Sequence, residues 1–126
     1  MLEMKIDTSS QLQIYKQVVN QIIEHIAKGQ IKYNDRLPSV RNMAKDIGIN
    51  IHTVSKSYHE LEKKGIIKME NRVKAKVIAS SNQVVNESHL HNLELSIKTI
   101  IMEAYVTGCS KENINQYITK ILDELD

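Results

Sequence analysis

The stretch that decides the fold runs from Ser39 to Lys64, SVRNMAKDIGINIHTVSKSYHELEKK. Pro38, just before it, disfavours a helical conformation at Leu37, so Asp35-Arg36-Leu37-Pro38 reads as a turn or an extended stretch. Ser39 can then cap a short helix, on which Val40, Met43, Ala44 and Ile47 form one apolar stripe and which Gly48 ends. Asn50 can cap the next helix, with Val54, Tyr58 and Leu61 on its inner face and Gly65 as its stop. Two short helices joined by Gly48-Ile49-Asn50 have the size and turn chemistry of a helix-turn-helix.

Working outward, Ile14, Tyr15, Val18, Val19, Ile22, Ile23 and Ile26 recur at helical spacing up to Gly29, which predicts a helix over about 11–28. Before it, Leu2, Met4 and Ile6 alternate with charged residues as a short strand would. After Gly65 the period falls to two. Ile66, Ile67 and Met69 make one candidate strand and Val73, Ala75 and Val77 another, with Glu70-Asn71-Arg72 between them. Such a hairpin makes a helix-turn-helix winged. Ser80-Ser81-Asn82-Gln83 reads as a linker. Leu90, Leu93, Ile97, Ile100 and Ala104 then space out as an amphipathic helix over roughly 86–107, which Gly108 breaks. Ser110 can cap a last helix with Ile114, Tyr117, Ile118, Ile121, Leu122 and Leu125 on one face. The expected fold is mainly α with a small β-hairpin: a winged helix-turn-helix domain over 1–79, then a C-terminal two-helix segment over 80–126.

The 126 residues suit a small domain with an accessory segment and are too few for a DNA reader plus a full catalytic domain. The core must be aliphatic, because the chain has no Phe or Trp. Charge is uneven: residues 1–80 carry 14 Lys/Arg against 8 Asp/Glu, and residues 81–126 carry 3 against 7. This balance points to a polyanion partner for the first part, or else to two differently solvated surfaces. Cys109 is the lone cysteine, so an intramolecular disulfide is excluded and a reducing, cytoplasmic setting is expected. No signal peptide is legible at the N-terminus and no run of 18 apolar residues occurs, so no membrane partner is expected.

A helix-turn-helix puts the start of its second helix into the major groove. The residues exposed there are Asn50, Ile51, His52, Thr53, Ser55 and Lys56, whose amide, hydroxyl, imidazole and ammonium groups reach base edges or phosphates, while Ile51 can meet a thymine methyl. Ser39 and Arg41 stand at the start of the preceding helix; an arginine there can grip guanine or phosphate, or it can pair with Asp35 or Asp46. The wing offers Arg72, Lys74 and Lys76, with both lysines opposite Val73, Ala75 and Val77; they can meet phosphates or simply keep the hairpin soluble.

At Tyr33-Asn34-Asp35-Arg36-Leu37-Pro38-Ser39-Val40-Arg41 the chain resembles the GntR family, whose signature "GDRLPSVR" opens the helix-turn-helix. Ala44, Gly48, Thr53-Val54, Tyr58, Leu61-Glu62 and Gly65-Ile66-Ile67 follow in register, and Ile14-Tyr15-Lys16-Gln17-Val18 is similar to the family's "PLYxQV" opening. The resemblance covers about 11–79. Beyond it, Ala104 to Glu112 resembles the junction between two helices in the YtrA-type subfamily, whose members carry a short helical tail in place of a large effector domain. The resemblance implies DNA contact by Arg41 and Thr53. It implies departures too: Ile51 and Ser55 stand where many members have Arg, and Arg72-Val73-Lys74 replaces the usual wing glycines. A base preference with fewer arginine–guanine contacts is expected, and a wing tip without Gly does not bring its backbone close to the groove floor.

The last two helices form a hairpin that buries little apolar surface alone. Either it packs on the first domain or it pairs with another copy. A symmetric pair gives a four-helix assembly through Leu90, Leu93, Ile97, Ile100, Ile101, Ile114, Tyr117, Ile118, Ile121, Leu122 and Leu125. Its two-fold axis would set two recognition helices on half-sites about one turn apart. Catalysis finds no support: His25, His52 and His59 form no triad, His89 and His91 point apart on a helix, and the four glycines are isolated stops. No metal and no cofactor is expected. The expectation is a homodimeric DNA-binding transcription regulator, a repressor acting at an inverted-repeat operator, with any small-molecule effector unidentified. The alternative is a winged-helix protein-interaction module that does not read DNA.

Overall fold

The aliphatic periodicity of the N-terminal third yields α1 (Ile14–Ala27), with Val18, Val19 and Ile22 fully inside. A two-residue strand, β1 (Arg36–Leu37), leads into α2 (Val40–Ile47) and α3 (Ile51–Lys63). The strands β2 (Ile67–Met69) and β3 (Ala75–Val77) form the wing, and α4 (Glu87–Val106) and α5 (Lys111–Asp123) complete the chain. This computed structural model describes residues 3–71, 74–80 and 83–126. The chain divides into two compact units, Met1–Ser81 and Asn82–Asp126.

The helix-turn-helix forms by the chemistry its sequence implies. The Ser39 hydroxyl accepts the Asn42 N–H at 3.1 Å, and the Asn50 carboxamide oxygen accepts the His52 N–H at 2.8 Å. Between the two helices Gly48 takes a left-handed backbone (φ 69°), a conformation that L side chains rarely adopt. The turn residue Asn34, before β1, adopts the same region (φ 74°), which Asn tolerates better than most residues. The core of the first unit joins Val18 and Ile22 of α1 to Met43 of α2, Val54, Tyr58 and Leu61 of α3, and Ile67 and Val77 of the sheet. Each such aliphatic side chain contributes about 1.5–3 kcal/mol by leaving water.

The sheet has three antiparallel strands in the order β1-β3-β2, so the expected hairpin gains a third member. Arg36-Leu37, read as a turn or extended stretch, is held straight by Pro38 and pairs with Lys76 and Ala75. The wing strand starts at Ile67, and the Ile66 carbonyl just before it accepts the N–H groups of both Ile78 and Ala79. Val73 lies outside the described residues.

The short strand expected at Leu2, Met4 and Ile6 is a correction: residues 3–7 form none, and Leu2 lies outside the described residues. Side-chain amides of α1 take the place of a partner strand. Gln21 accepts the Lys5 N–H at 2.9 Å and donates to the Lys5 carbonyl at 2.7 Å, and Gln17 does the same for Asp7 at 2.8 and 2.9 Å. Met4 and Ile6 still pack against the core, half-buried. A third contact of Gln17, to the Leu12 carbonyl, fastens the turn and bends that lead into the helix, and α1 starts at Ile14 rather than Gln11.

In the second unit, the Asn86 side chain caps α4 and the Ser110 hydroxyl caps α5, accepting the Asn113 N–H at 3.0 Å. Neither helix contains a buried residue. No helix among the described residues is long and apolar enough to cross a membrane.

Candidate nucleic-acid interface

Helix α3 is anchored to each of its neighbours. Tyr58 is buried and its hydroxyl donates to the Pro38 carbonyl at 2.6 Å, which fixes the backbone just before the α2 cap. Burial also pushes the Tyr58 phenol well above its ordinary range, so it remains a donor. Ser57, fully buried, donates within the pair formed by the Tyr15 carbonyl (3.0 Å) and the Thr53 carbonyl (2.9 Å). The Glu62 carboxylate accepts the Met69 N–H at 2.9 Å and ties the helix to the wing. These contacts fix which face of α3 is left outside.

That face holds most of the expected residues. Asn50, Ile51, His52 and Lys56 are exposed, Thr53 and Ser55 are half-buried, and Val54 and Tyr58 are inside. Asn50 spends its oxygen on the cap, which leaves its amide N–H groups free to donate outward. Ser39 is half-buried and its oxygen is taken by Asn42. Arg41 is exposed in the first turn of α2 and forms no ion pair among the described residues, so the pairings weighed for it with Asp35 and Asp46 do not occur. Asp35 instead accepts the Lys32 N–H at 2.8 Å.

Several residues with the same exposure were not singled out from the sequence. Lys45 lies one turn after Arg41 on the same flank of α2, and it too is exposed without an ion pair among the described residues. His52, Lys56, His59 and Lys63 follow at spacings of four, three and four, forming one exposed row along α3 opposite Leu61. The helical period that located Val54 and Leu61 carries this row as well.

The wing contributes differently. Its turn is closed without glycine: the Glu70 N–H donates to the Lys74 carbonyl at 2.8 Å and the Lys74 N–H to the Asn71 carboxamide oxygen at 2.9 Å. Lys74 is exposed and Lys76 half-buried, while Arg72 lies outside the described residues. Lys76 stands in register with Arg36 on one side and Lys68 on the other, so three cations cross the outer sheet face in one row, relieved by Arg36 pairing with Glu70 at 3.5 Å.

The second unit presents the expected dimer residues. Leu90, Leu93, Ile97, Ile100, Tyr117, Ile118, Ile121, Leu122 and Leu125 are exposed, Ile100 at 68% and Leu122 at 59%. Ile101 and Ile114 are half-buried, as are Ala104 and Cys109 near the turn between the helices.

Three comparisons bear on this arrangement. The family model described as bacterial regulatory proteins, gntR family, matches residues 14–77. The HTH-type transcriptional repressor YtrA of Bacillus subtilis (strain 168) is 33% identical over 117 residues, 93% of this chain and 90% of that protein. Among solved structures, a transcriptional antiterminator from Listeria monocytogenes EGD-e superposes with a TM-score of 0.85 at 28% identity, covering 98% of this chain and 93% of the other. YtrA from Sulfolobus acidocaldarius, described as a GntR-family transcription factor, superposes with a TM-score of 0.59 at 39% identity, covering 96% and 97%.

Proposed function

The chain belongs to the GntR family of bacterial regulatory proteins, and from that premise we propose that it represses transcription by binding an inverted-repeat operator as a homodimer. It is a DNA-binding regulator rather than an enzyme. Residues 1–79 read the operator and residues 80–126 pair two copies. The observation that carries DNA reading is the set of cations left open on α2 and α3: Arg41, Lys45, Lys56 and Lys63 are exposed beside a fully packed core, the last two in a row with His52 and His59. Arg41 and Thr53 make the leading contacts, with Asn50, Ile51, His52, Ser55 and Lys56 around them and Lys74 and Lys76 along the phosphates.

Pairing is supported by the second unit's own surface. Apolar side chains as exposed as Leu90, Ile100 and Leu122, on helices with no buried residue, are the mark of a surface that another chain covers. A compact dimer seated on its operator excludes polymerase by occlusion, and the similarity to a protein named as a repressor supports that direction. A bacterial DNA reader works in the cytoplasm, and that setting is part of the proposal. No effector is assigned.

The test is selection of bound duplexes from a random pool, followed by titration at several salt concentrations. An inverted repeat with half-sites about one helical turn apart is expected, together with affinity that falls steeply as salt rises. No preference for any duplex, with salt-insensitive capture of a protein partner, would favour the interaction-module reading instead.

A further inference from the structure

Lys56 has a defined seat. Its ammonium lies 4.0 Å from the centroid of the Tyr15 ring, on the first turn of α1. Two further contacts keep that ring beside α3: the buried Ser57 hydroxyl reaches the Tyr15 carbonyl at 3.0 Å, and the Lys16 ammonium lies 3.8 Å from the Glu60 carboxylate. The Tyr15 hydroxyl makes no hydrogen bond among the described residues, so the ring face alone engages Lys56.

A lysine on a solvated helix samples many rotamers, and a phosphate that captures it has to freeze them. Attraction to a ring face freezes them beforehand while occupying only one side of the ammonium. The remaining N–H groups stay available to an oxygen. We propose that Tyr15 is a positioning residue for DNA binding: its ring presets the Lys56 ammonium for a backbone phosphate, which extends the interface from α3 onto α1. This rests on the DNA-reading role of α3 proposed above.

The full chain is titrated against the highest-affinity duplex from the selection, over a range of salt, with dimer mass and thermal melting recorded for each variant. Binding by the unaltered protein tests the underlying reading, and absence of binding sinks that reading and the proposal together. With binding established, Lys56→Met should lower the salt slope by about 1 per protomer. Tyr15→Leu should weaken binding by about two- to fivefold per protomer. Tyr15→Phe should bind like the unaltered protein, and Tyr15→Leu should cost nothing more once Lys56 is Met. A merely structural role for Tyr15 would instead weaken binding equally with and without Lys56. That result overturns the proposal, as would an unchanged slope in Lys56→Met, tighter binding by Tyr15→Leu, or a Phe variant as weak as the Leu variant.

Discussion

Replacing Tyr58 with Phe removes a single oxygen from the interior and should loosen the whole helix-turn-helix. The hydroxyl donates to the Pro38 carbonyl at 2.6 Å, and Pro38 directly precedes the residue that caps α2. Without the donor, that carbonyl faces a phenyl ring. A buried acceptor left unmet costs about 1–3 kcal/mol. Pro38 is only half-buried, so water can reach part of the site and the lower half of that range, about 1–2 kcal/mol, is expected. For a unit of this size each kcal/mol lowers the melting temperature by about 4–8 °C. A second signature separates this bond from generic damage. Burial raises the Tyr58 phenol in the folded state, whereas an unfolded tyrosine titrates near its ordinary value of about 10. Below that pH both states hold the proton. Above it the unfolded chain releases a proton that the folded chain keeps, so stability falls with rising pH, by up to about 1.4 kcal/mol per unit. Tyr58→Phe lacks this component. Urea unfolding of both proteins at neutral pH and above pH 10, at one protein concentration, measures both effects. Equal stability at neutral pH, or parallel loss at alkaline pH, would refute the reasoning.

Arg41→Ala should weaken operator binding by about 1–3 kcal/mol, the range for one good base or phosphate contact, without lowering the melting temperature; unchanged affinity in a fluorescence titration removes Arg41 from the interface. Gly48→Ala should destabilise by about 1–2 kcal/mol, because the left-handed backbone strains any β-carbon even though nothing crowds that position, and Gly48→Asn should cost less; equal losses would show that the backbone angle is not the cause. Ile118→Glu combined with Leu122→Glu should yield monomers by light scattering, since both side chains lie exposed on one stripe of α5; a surviving dimer would move the interface elsewhere.

Where local chemistry decides the backbone, the sequence was readable. Ser39, Asn50, Ser110 and the left-handed Gly48 each act as their residue types dictate, through contacts spanning two to four residues. The N-terminal arm departs from the expected strand because alternation in Met4 and Ile6 fits any extended chain against a core, and whether a strand or two glutamines satisfy its backbone depends on residues ten or more positions away. β1 was missed for the same reason, since a two-residue strand exists only through its pairing with β3. The seat of Lys56 was equally invisible: helical spacing puts the residue on the outer face, but only the packing of α1 on α3 brings a ring beneath its ammonium. Exposure of His59, Lys63 and Lys45, by contrast, followed from periodicity already in use.

The three contacts that orient α3 share a feature that matters for how such a protein changes its target. Tyr58, Ser57 and Glu62 all reach backbone groups: Pro38 just before α2, Tyr15 on α1 and Met69 on β2. The helix is therefore registered against main chain, whose position is insensitive to side-chain identity on those neighbours. The outward row of His52, His59 and Lys63 takes no part in that registration among the described residues, whereas Lys56 meets Tyr15 and Glu60 meets Lys16. No anchoring contact runs through Ile51 or Ser55, so a change at either position carries little cost to the fold. Stability is carried by the inner face of α3, through its core side chains and the buried hydroxyls of Ser57 and Tyr58, while the base preference proposed above would be set on the outer face.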